Sequence, residues 1–380
     1  DDKFKAGGAK VGYTVSGRLP QRFRTTKGQA FQVQPINDQT VPVTLTDQAN
    51  IGTSWSTADA TMIVEEVRKR YINPAGEQLA NTVDFDGLAR MTPTVWKSEG
   101  TPGTTPSTME TWLNAGARLT LVATPEDQRI AVLDPMAMVK LVVDTKGLFN
   151  PSATIAENYR SGQFGRNQLG IAEWYQDQNR AVQTTGSFTS CTPTVLGASQ
   201  TGSALSTQAW AAGATTLNAG DVFTIAGVFE ANPQNYATTG KLQQFVVTQT
   251  VSDTAGAMTI QIAPPIIPSG NLATVTASPA NGAAIVPLGS TIVAGSAGTM
   301  TATSSPQSLV FHPEAFICAM ADLDSNLPGA EASRVSDNEL NMSLRLVQQY
   351  QIGTDQKGSR IDCLYGFKEF RPEWACRVWG

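Results

Sequence analysis

The chain has 380 residues and a formal net charge of −5, and only 16% of its residues are Asp, Glu, Lys or Arg, against roughly 25% in an average soluble domain. It holds one histidine, His312, and four cysteines, Cys191, Cys318, Cys363 and Cys376, none in a CxxC pair. These counts exclude a compact His/Cys zinc site, chemistry that leans on several histidines, a disulfide framework and a clustered Lys/Arg surface for primary nucleic-acid binding.

No stretch reaches ~18 uninterrupted apolar residues, so no membrane-spanning helix is expected. Asp1 is not Met and no signal-peptide pattern follows it, so a natural N-terminal piece is expected to be missing. Gly7 to Gly12 has the glycine spacing of a phosphate loop, but Tyr13 stands where lysine is needed.

Tyr13 to Leu45 reads as extended: Tyr13-Thr-Val-Ser, Phe31-Gln-Val-Gln and Val41-Pro-Val-Thr-Leu45, with Pro20, Pro35 and Pro42 keeping these runs off central strands. A long hairpin arm with little core of its own is expected, ordered by something else. Arg18, Arg22 and Arg24 make it locally basic.

Ser56-Thr-Ala-Asp59 has the form of a capping box and predicts a helix to Tyr71, with Ile63, Val67 and Tyr71 on one face. Pro74 interrupts it and begins a second helix, whose apolar line is Leu79, Val83 and Leu88. Ser107-Thr-Met-Glu110 is a full capping box, followed by Met109, Trp112 and Leu113 at helical spacing. The carboxylate pairs Glu65/Glu66 and Asp84/Asp86 do not share a helix face and read as solvated surface.

One pattern occurs twice. Ile130 to Met138 and Leu309 to Phe316 both run strand, polar cap, proline, apolar helix start, with Asp134 and His312 as caps before Pro135 and Pro313. Between them the composition changes: residues 186–306 carry only four charged side chains, Asp221, Glu230, Lys241 and Asp253. The β-branched and aromatic runs Asp221–Gly227, Gln244–Thr250 and Met258–Ile262, punctuated by Gly, Pro, Asn and Asp, predict strands rather than disorder. An all-β insertion, sandwich or barrel, into one α+β body is expected.

Asp322-Leu-Asp-Ser-Asn326 starts like a calcium loop, but Leu327 replaces its glycine and Ser333 its final glutamate. A polar helix end before a Pro328-Gly329 turn is expected instead. Arg360–Tyr365 reads as a strand, Gly366 as a turn and Trp374–Trp379 as the last strand. The cysteines read as buried free thiols and the seven tryptophans as core or interface. No catalytic, cofactor or metal constellation emerges.

Several segments resemble the major capsid proteins of tailed double-stranded DNA phages. They are Thr124–Pro135, Tyr159-Arg-Ser-Gly-Gln-Phe-Gly-Arg-Asn-Gln-Leu-Gly-Ile-Ala-Glu-Trp-Tyr175, Leu309–Phe316 and Arg360–Val378. Gly220–Gly227 and Leu242–Thr248 are similar to the β-barrel inserted in the coat proteins of the Salmonella short-tailed phage type, and Tyr71–Asn81 to that family's long spine helix. The resemblance implies an α+β capsid fold with an extended loop, spine helix, peripheral and axial domains and a barrel-like insertion. On it, residues 1–56 are the N-terminal region with the loop, 57–185 and 307–380 the two parts of the core, and 186–306 the insertion.

It further implies a non-enzymatic structural protein that forms pentamers and hexamers of an icosahedral virion head around DNA, assembled in the host cytoplasm. A scaffolding protein and portal would be partners during assembly, packaged DNA a weak non-specific contact, and a decoration protein a further one. Arg18, Arg22 and Arg24 become candidates for intersubunit contact. The family's inserted domain uses a charged loop between capsomers, whereas the matching stretch Gly197–Gly213 has no charge. An encapsulin-like compartment shell and a carbohydrate- or receptor-binding module are the alternatives.

Overall fold

The computed structural model describes residues 14–25, 27–29, 33–34, 36–56, 68–145, 170–293, 295–337 and 342–379, less the side chains of Val15, Arg68, Arg70, Thr145 and Asp337. The Gly7–Gly12 run, Tyr13, Phe31, Pro35, the helix expected after Ser56 up to Val67, the Glu65/Glu66 pair and residues 159–169 lie outside the described residues.

In chain order, β1 (Thr14–Arg18), β2 (Thr40–Thr44) and β3 (Asp47–Ser56) precede helix α1 (Asn73–Met91), which continues from a π-helical turn at Arg68–Ile72. Next come β4 (Ser98–Glu99), α2 (Met109–Leu121), β5 (Ile130–Leu133), α3 (Pro135–Thr145), β6 (Glu173–Gln176) and β7 (Ala181–Thr184). A run of strands follows: β8 (Phe188–Cys191), β9 (Thr194–Val195), β10 (Gly202–Gln208), β11 (Thr216–Leu217) and β12 (Val222–Ala231). It continues with β13 (Thr238–Val247), β14 (Val251–Ser252), β15 (Met258–Ile266), β16 (Ile285–Pro287) and β17 (Gly298–Met300). The last elements are β18 (Ser304–Phe311), β19 (Phe316–Ala321), β20 (Glu331–Asp337), β21 (Met342–Gln351), β22 (Gln356–Glu369) and β23 (Ala375–Trp379). The class is α+β, with strands in the majority.

The chain divides into two compact units. The first comprises Asp1–Leu19, Thr40–Leu88 and Ile317–Lys368. Here β1 and β2 pair antiparallel from Thr14 opposite Thr44 to Arg18 opposite Thr40, the base of the expected hairpin arm. The long β22 organises a sheet in which β19, β21 and β3 all pair with it and β20 lies beyond β21. Leu79 and Val83 of α1 bury against Ile361, Cys363 and Tyr365 of β22, as their spacing requires, while Leu88 is half-buried. Pro74 is the second residue of α1 and does not interrupt the helical path. Asp362, fully buried, is held by a two-bond fork from Arg345 (3.0 and 2.7 Å) and by Gln48 (3.0 Å), which ties β21, β22 and β3 together.

Two further expectations fail in this unit. Gly366 is not a turn: it sits inside β22, where a Cβ would collide with the carbonyl oxygen of Thr44. The glycine marks a close approach of two backbones. Asp322–Asn326 ends a strand, β19, and not a helix; Asp322 pairs with Arg334 at 3.2 Å and Asp324 accepts from the Asn326 amide at 2.9 Å before the Pro328-Gly329 turn.

The second unit comprises Pro20–Gln39, Ala89–Phe316 and Glu369–Gly380. Its central sheet runs β4-β23-β18-β5-β6, with β7 pairing the first half of β18. All five residues of β23 are buried, the cation Arg377 among four apolar side chains, so the strand does not alternate between faces. Trp112 of α2 meets Trp174 of β6 edge-on at 5.7 Å, and Leu119, Leu133, Met138, Leu141 and Val310 close around them. Edge-on aromatic pairs contribute about 0.5–1.5 kcal/mol beyond their burial. Asp134 caps α3 as expected, accepting the Met136 amide at 3.1 Å.

The capping box expected at Ser107 is not made. Thr108 occupies the cap position without a side-chain bond to the helix backbone, and Asp144 of α3 accepts the Met109 amide at 2.9 Å instead. The helix expected after His312 is a single 3₁₀ turn, Pro313–Ala315, before β19. The Phe370 and Arg371 amides take the Ala315 carbonyl at 2.9 and 3.0 Å, and the Phe316-Ile-Cys run favours a strand.

The chain leaves this sheet after β7 and returns at β18, beside its point of departure: Thr184 lies opposite Ser304, and the Thr185 amide donates to Thr303 O at 3.0 Å. In between, six strands pair in the order β16-β12-β13-β15-β10-β9. The two ends of that order meet, since Ile285 N donates to Pro193 O at 2.9 Å and Val195 N to Ala283 O at 3.0 Å. The sheet is therefore a closed barrel with no free edge between β9 and β16. Phe223, Ile225, Phe245, Val247, Ile260 and Ile262 fill its interior. Val222 and Val246 point the other way and bury against Trp96 and Trp379. The strand expected at Gln244–Thr250 starts earlier, at Thr238, and ends at Val247.

Candidate functional site

His312 is buried and accepts the Glu314 amide on Nδ1 at 3.3 Å, so it is the cap its position predicts. Its ring stands edge-on to Trp374 at 5.2 Å; Arg371 lies 4.1 Å over that same ring and pairs with Glu314 at 3.5 Å. These contacts brace a turn. Among the described residues no group of His, Cys, Asp and Glu side chains is placed to hold a metal ion. Cys191, Cys363 and Cys376 are buried free thiols, but Cys318 is exposed. Asp86, read from sequence as solvated, accepts the Tyr365 hydroxyl at 2.6 Å.

The four charges of residues 186–306 have specific places, and two of them meet cations from the rest of the unit. Glu230 of β12 receives Lys97 at 3.4 Å, and Lys97 also donates to the Glu373 carbonyl at 2.8 Å. Burial pushes the Lys97 ammonium down from its ordinary pKa, while Glu230 and Glu373 pull it back. Arg377 of β23, fully buried, donates to Gly220 O at 2.9 Å and to Gln307 at 3.2 Å. Next to Gly220, Asp221 accepts the Gly186 amide at 2.9 Å and the Asn218 amide at 2.8 Å. Burial raises the Asp221 carboxyl to about 6 against the pull of those amides, of Gln183 and of the Arg377 charge. Asp253 binds the Gly213, Thr215 and Gly256 amides and closes a loop. Lys241 is exposed.

Neutral side chains complete the junction. Gln244 of β13 accepts from the Ser98 amide at 2.8 Å and donates to the Ser98 carbonyl at 2.9 Å, so it satisfies β4 as a neighbouring strand would. Asn232 donates to Leu121 O, the carbonyl of the last residue of α2, at 2.7 Å. None of this was legible locally, though the rarity of Asp221 and Glu230 in their segment was a usable signal. The uncharged stretch Gly197–Gly213 is not a free loop: β10 occupies seven of its residues and Trp210 is buried.

The three arginines of the arm part company. Arg18, at the end of β1, is exposed and has no ion-pair partner among the described residues. Arg22 pairs with Glu373 at 2.6 Å, and Arg24 lies 5.2 Å over the ring of Tyr236. Elsewhere α3 leaves Met136, Val139 and Val143 more than half exposed on one face.

A model of the P22 coat protein family, described as P22 coat protein, gene protein 5, matches residues 17–378. No curated protein matches the chain. Among solved structures it is similar to one from Mycobacterium phage Che8, at 12% identity over 96% of this chain and 83% of that one, with a TM-score of 0.45. The capsid of Ralstonia phage GP4 matches at 9% identity over 98% and 84%, with a TM-score of 0.46. The CUS-3 coat protein I-domain matches at 30% identity over 26% of this chain and 96% of that one, with a TM-score of 0.21.

Proposed function

The chain belongs to the P22 coat protein family, and on that premise we propose that it builds a closed icosahedral shell of pentamers and hexamers around double-stranded DNA. It is a major capsid protein of tailed phages, and its place is the virion shell. The observation that carries the proposal is the extent of the family match, residues 17–378, from β1 in the arm to β23 in the central sheet.

The physical features agree with a structural role. The arm is a two-stranded hairpin, an element that is marginal without a partner. Residues 186–306 leave and rejoin one sheet at adjacent strands, which is how an inserted domain is attached, and we assign them that role. The net charge of −5 suits a wall that does not clamp the polyanion inside it. A scaffolding protein, a portal, packaged DNA and a decoration protein are the partners this reading expects, and exposed Arg18 is the arm residue best placed to meet a neighbouring copy.

The test is sedimentation of the purified chain mixed with its scaffolding protein. Rapidly sedimenting particles are expected, and a chain that stays at the monomer position contradicts the proposal.

A further inference from the structure

Beyond β1 and β2 the arm is held by polar contacts between described residues. Gln21 donates to Asp38 at 3.3 Å and accepts the Asn37 amide at 3.1 Å; Gln34 accepts the Arg24 amide at 2.8 Å and donates to the Arg24 carbonyl. The two limbs of the tip are thus cross-tied by two glutamines. The tip is then fastened to its own chain at three points. Arg22 pairs with Glu373 at 2.6 Å, Arg24 lies over Tyr236, and Asn271 donates to Gln34 at 3.4 Å. The Tyr236 hydroxyl lies 3.2 Å from Asn271 O and 3.4 Å from Phe23 O and has one proton to share between them.

The apolar side chains of the same tip do the opposite. Phe23, Val33 and Ile36 are 64%, 81% and 77% exposed. A segment that had reached its final seat would bury these groups first, because apolar burial supplies the larger driving force. Here a partly exposed ion pair and a cation–π contact hold the tip while its apolar groups face water, and such contacts are individually weak and readily exchanged.

We propose that these contacts are a strap: in the free chain Glu373 and Tyr236 hold the arm tip in place, and assembly with further copies of the chain must release it. The inference rests on the reading of the protein as a self-assembling shell component. It makes Glu373 a brake on assembly that acts through Arg22, beside the support its charge gives the buried Lys97 ammonium. The Glu373 carbonyl, which Lys97 uses, is backbone and survives substitution of the side chain, whereas the carboxylate charge beside Lys97 does not, so the pair is also broken from the Arg22 side.

The experiment uses the full chain. Light scattering follows assembly after scaffolding protein is added, and tryptic cleavage after Arg24 in the chain alone reports release of the tip. R22Q, which keeps the Glu373 charge beside Lys97, and E373Q are each expected to be cleaved faster and to assemble roughly two- to fivefold faster, the size expected for loss of one partly exposed pair. The exchanged variant R22E/E373R is expected to regain protection at Arg24 and slow assembly. Wild-type shells together with unchanged cleavage and unchanged kinetics in R22Q overturn the strap alone, whatever E373Q does. A wild-type chain that never forms shells overturns the shell reading, and the strap with it.

Discussion

Lys97 Nζ lies 3.4 Å from Glu230 Oε1, both side chains almost fully out of water, one immediately before β4 and the other on β12 of the barrel. The pair joins the charge-poor segment to the sheet it interrupts. Removing one partner of such a pair strands a buried charge, which costs about 3–5 kcal/mol, whereas replacing both by apolar groups is often neutral. K97M should therefore lower stability by that amount, and K97M/E230L should recover most of it. Denaturant unfolding of the single and double variants checks this; additive losses would mean that the two residues do not act as a pair.

Asp221 sets a pH dependence. Its carboxyl titrates near 6 in the folded chain and near 3.9 in an unfolded one. Between those values the folded state holds a proton that the unfolded state has released, so this group adds stability as pH falls from about 7 to 4. The effect is at most about 3 kcal/mol. D221N should flatten that part of the stability–pH curve relative to the wild type. Parallel curves for the two proteins would refute the assignment.

Glycines separate two kinds of constraint. G366A drives a methyl into the Thr44 carbonyl oxygen and should destabilise by more than about 2 kcal/mol. Gly76, inside α1, has open space where a Cβ would stand, and G76A should stabilise by roughly 0.5–1 kcal/mol. Thermal melting of both variants decides whether the close approach of β22 to Thr44 is real.

Arg18 is exposed and, unlike Arg22 and Arg24, has no ion-pair or ring partner among the described residues. R18E should weaken assembly with other copies and leave the melting temperature of the free chain unchanged. A variant that melts early would show a structural role within the chain instead.

Where chemistry is local, the sequence announced the structure. Asp134-Pro135 specified its helix start, Leu79 and Val83 the buried face of α1, and the β-branched runs around Phe223 and Ile260 the barrel strands. Long-range hydrogen bonds overruled other local signals. Pro313 opened a turn and not a helix because the Phe370 and Arg371 amides hold the Ala315 carbonyl. Gly366 carried the same local signal as a turn glycine, and only the approach of Thr44 distinguishes the two. Closure of the barrel depends on Pro193 and Ala283 accepting from strands far along the chain, and the Gln244 contact with Ser98 has no local signature. The arm was legible as a hairpin, but the ties of Arg22 and Arg24 to Glu373 and Tyr236 were not.

The most direct measurement of the central claim is a cryo-electron reconstruction of the particles formed when the chain is produced with its scaffolding protein. The account predicts closed icosahedral shells in which this chain forms both pentamers and hexamers. Soluble monomers alone, or open aggregates without icosahedral order, would contradict it.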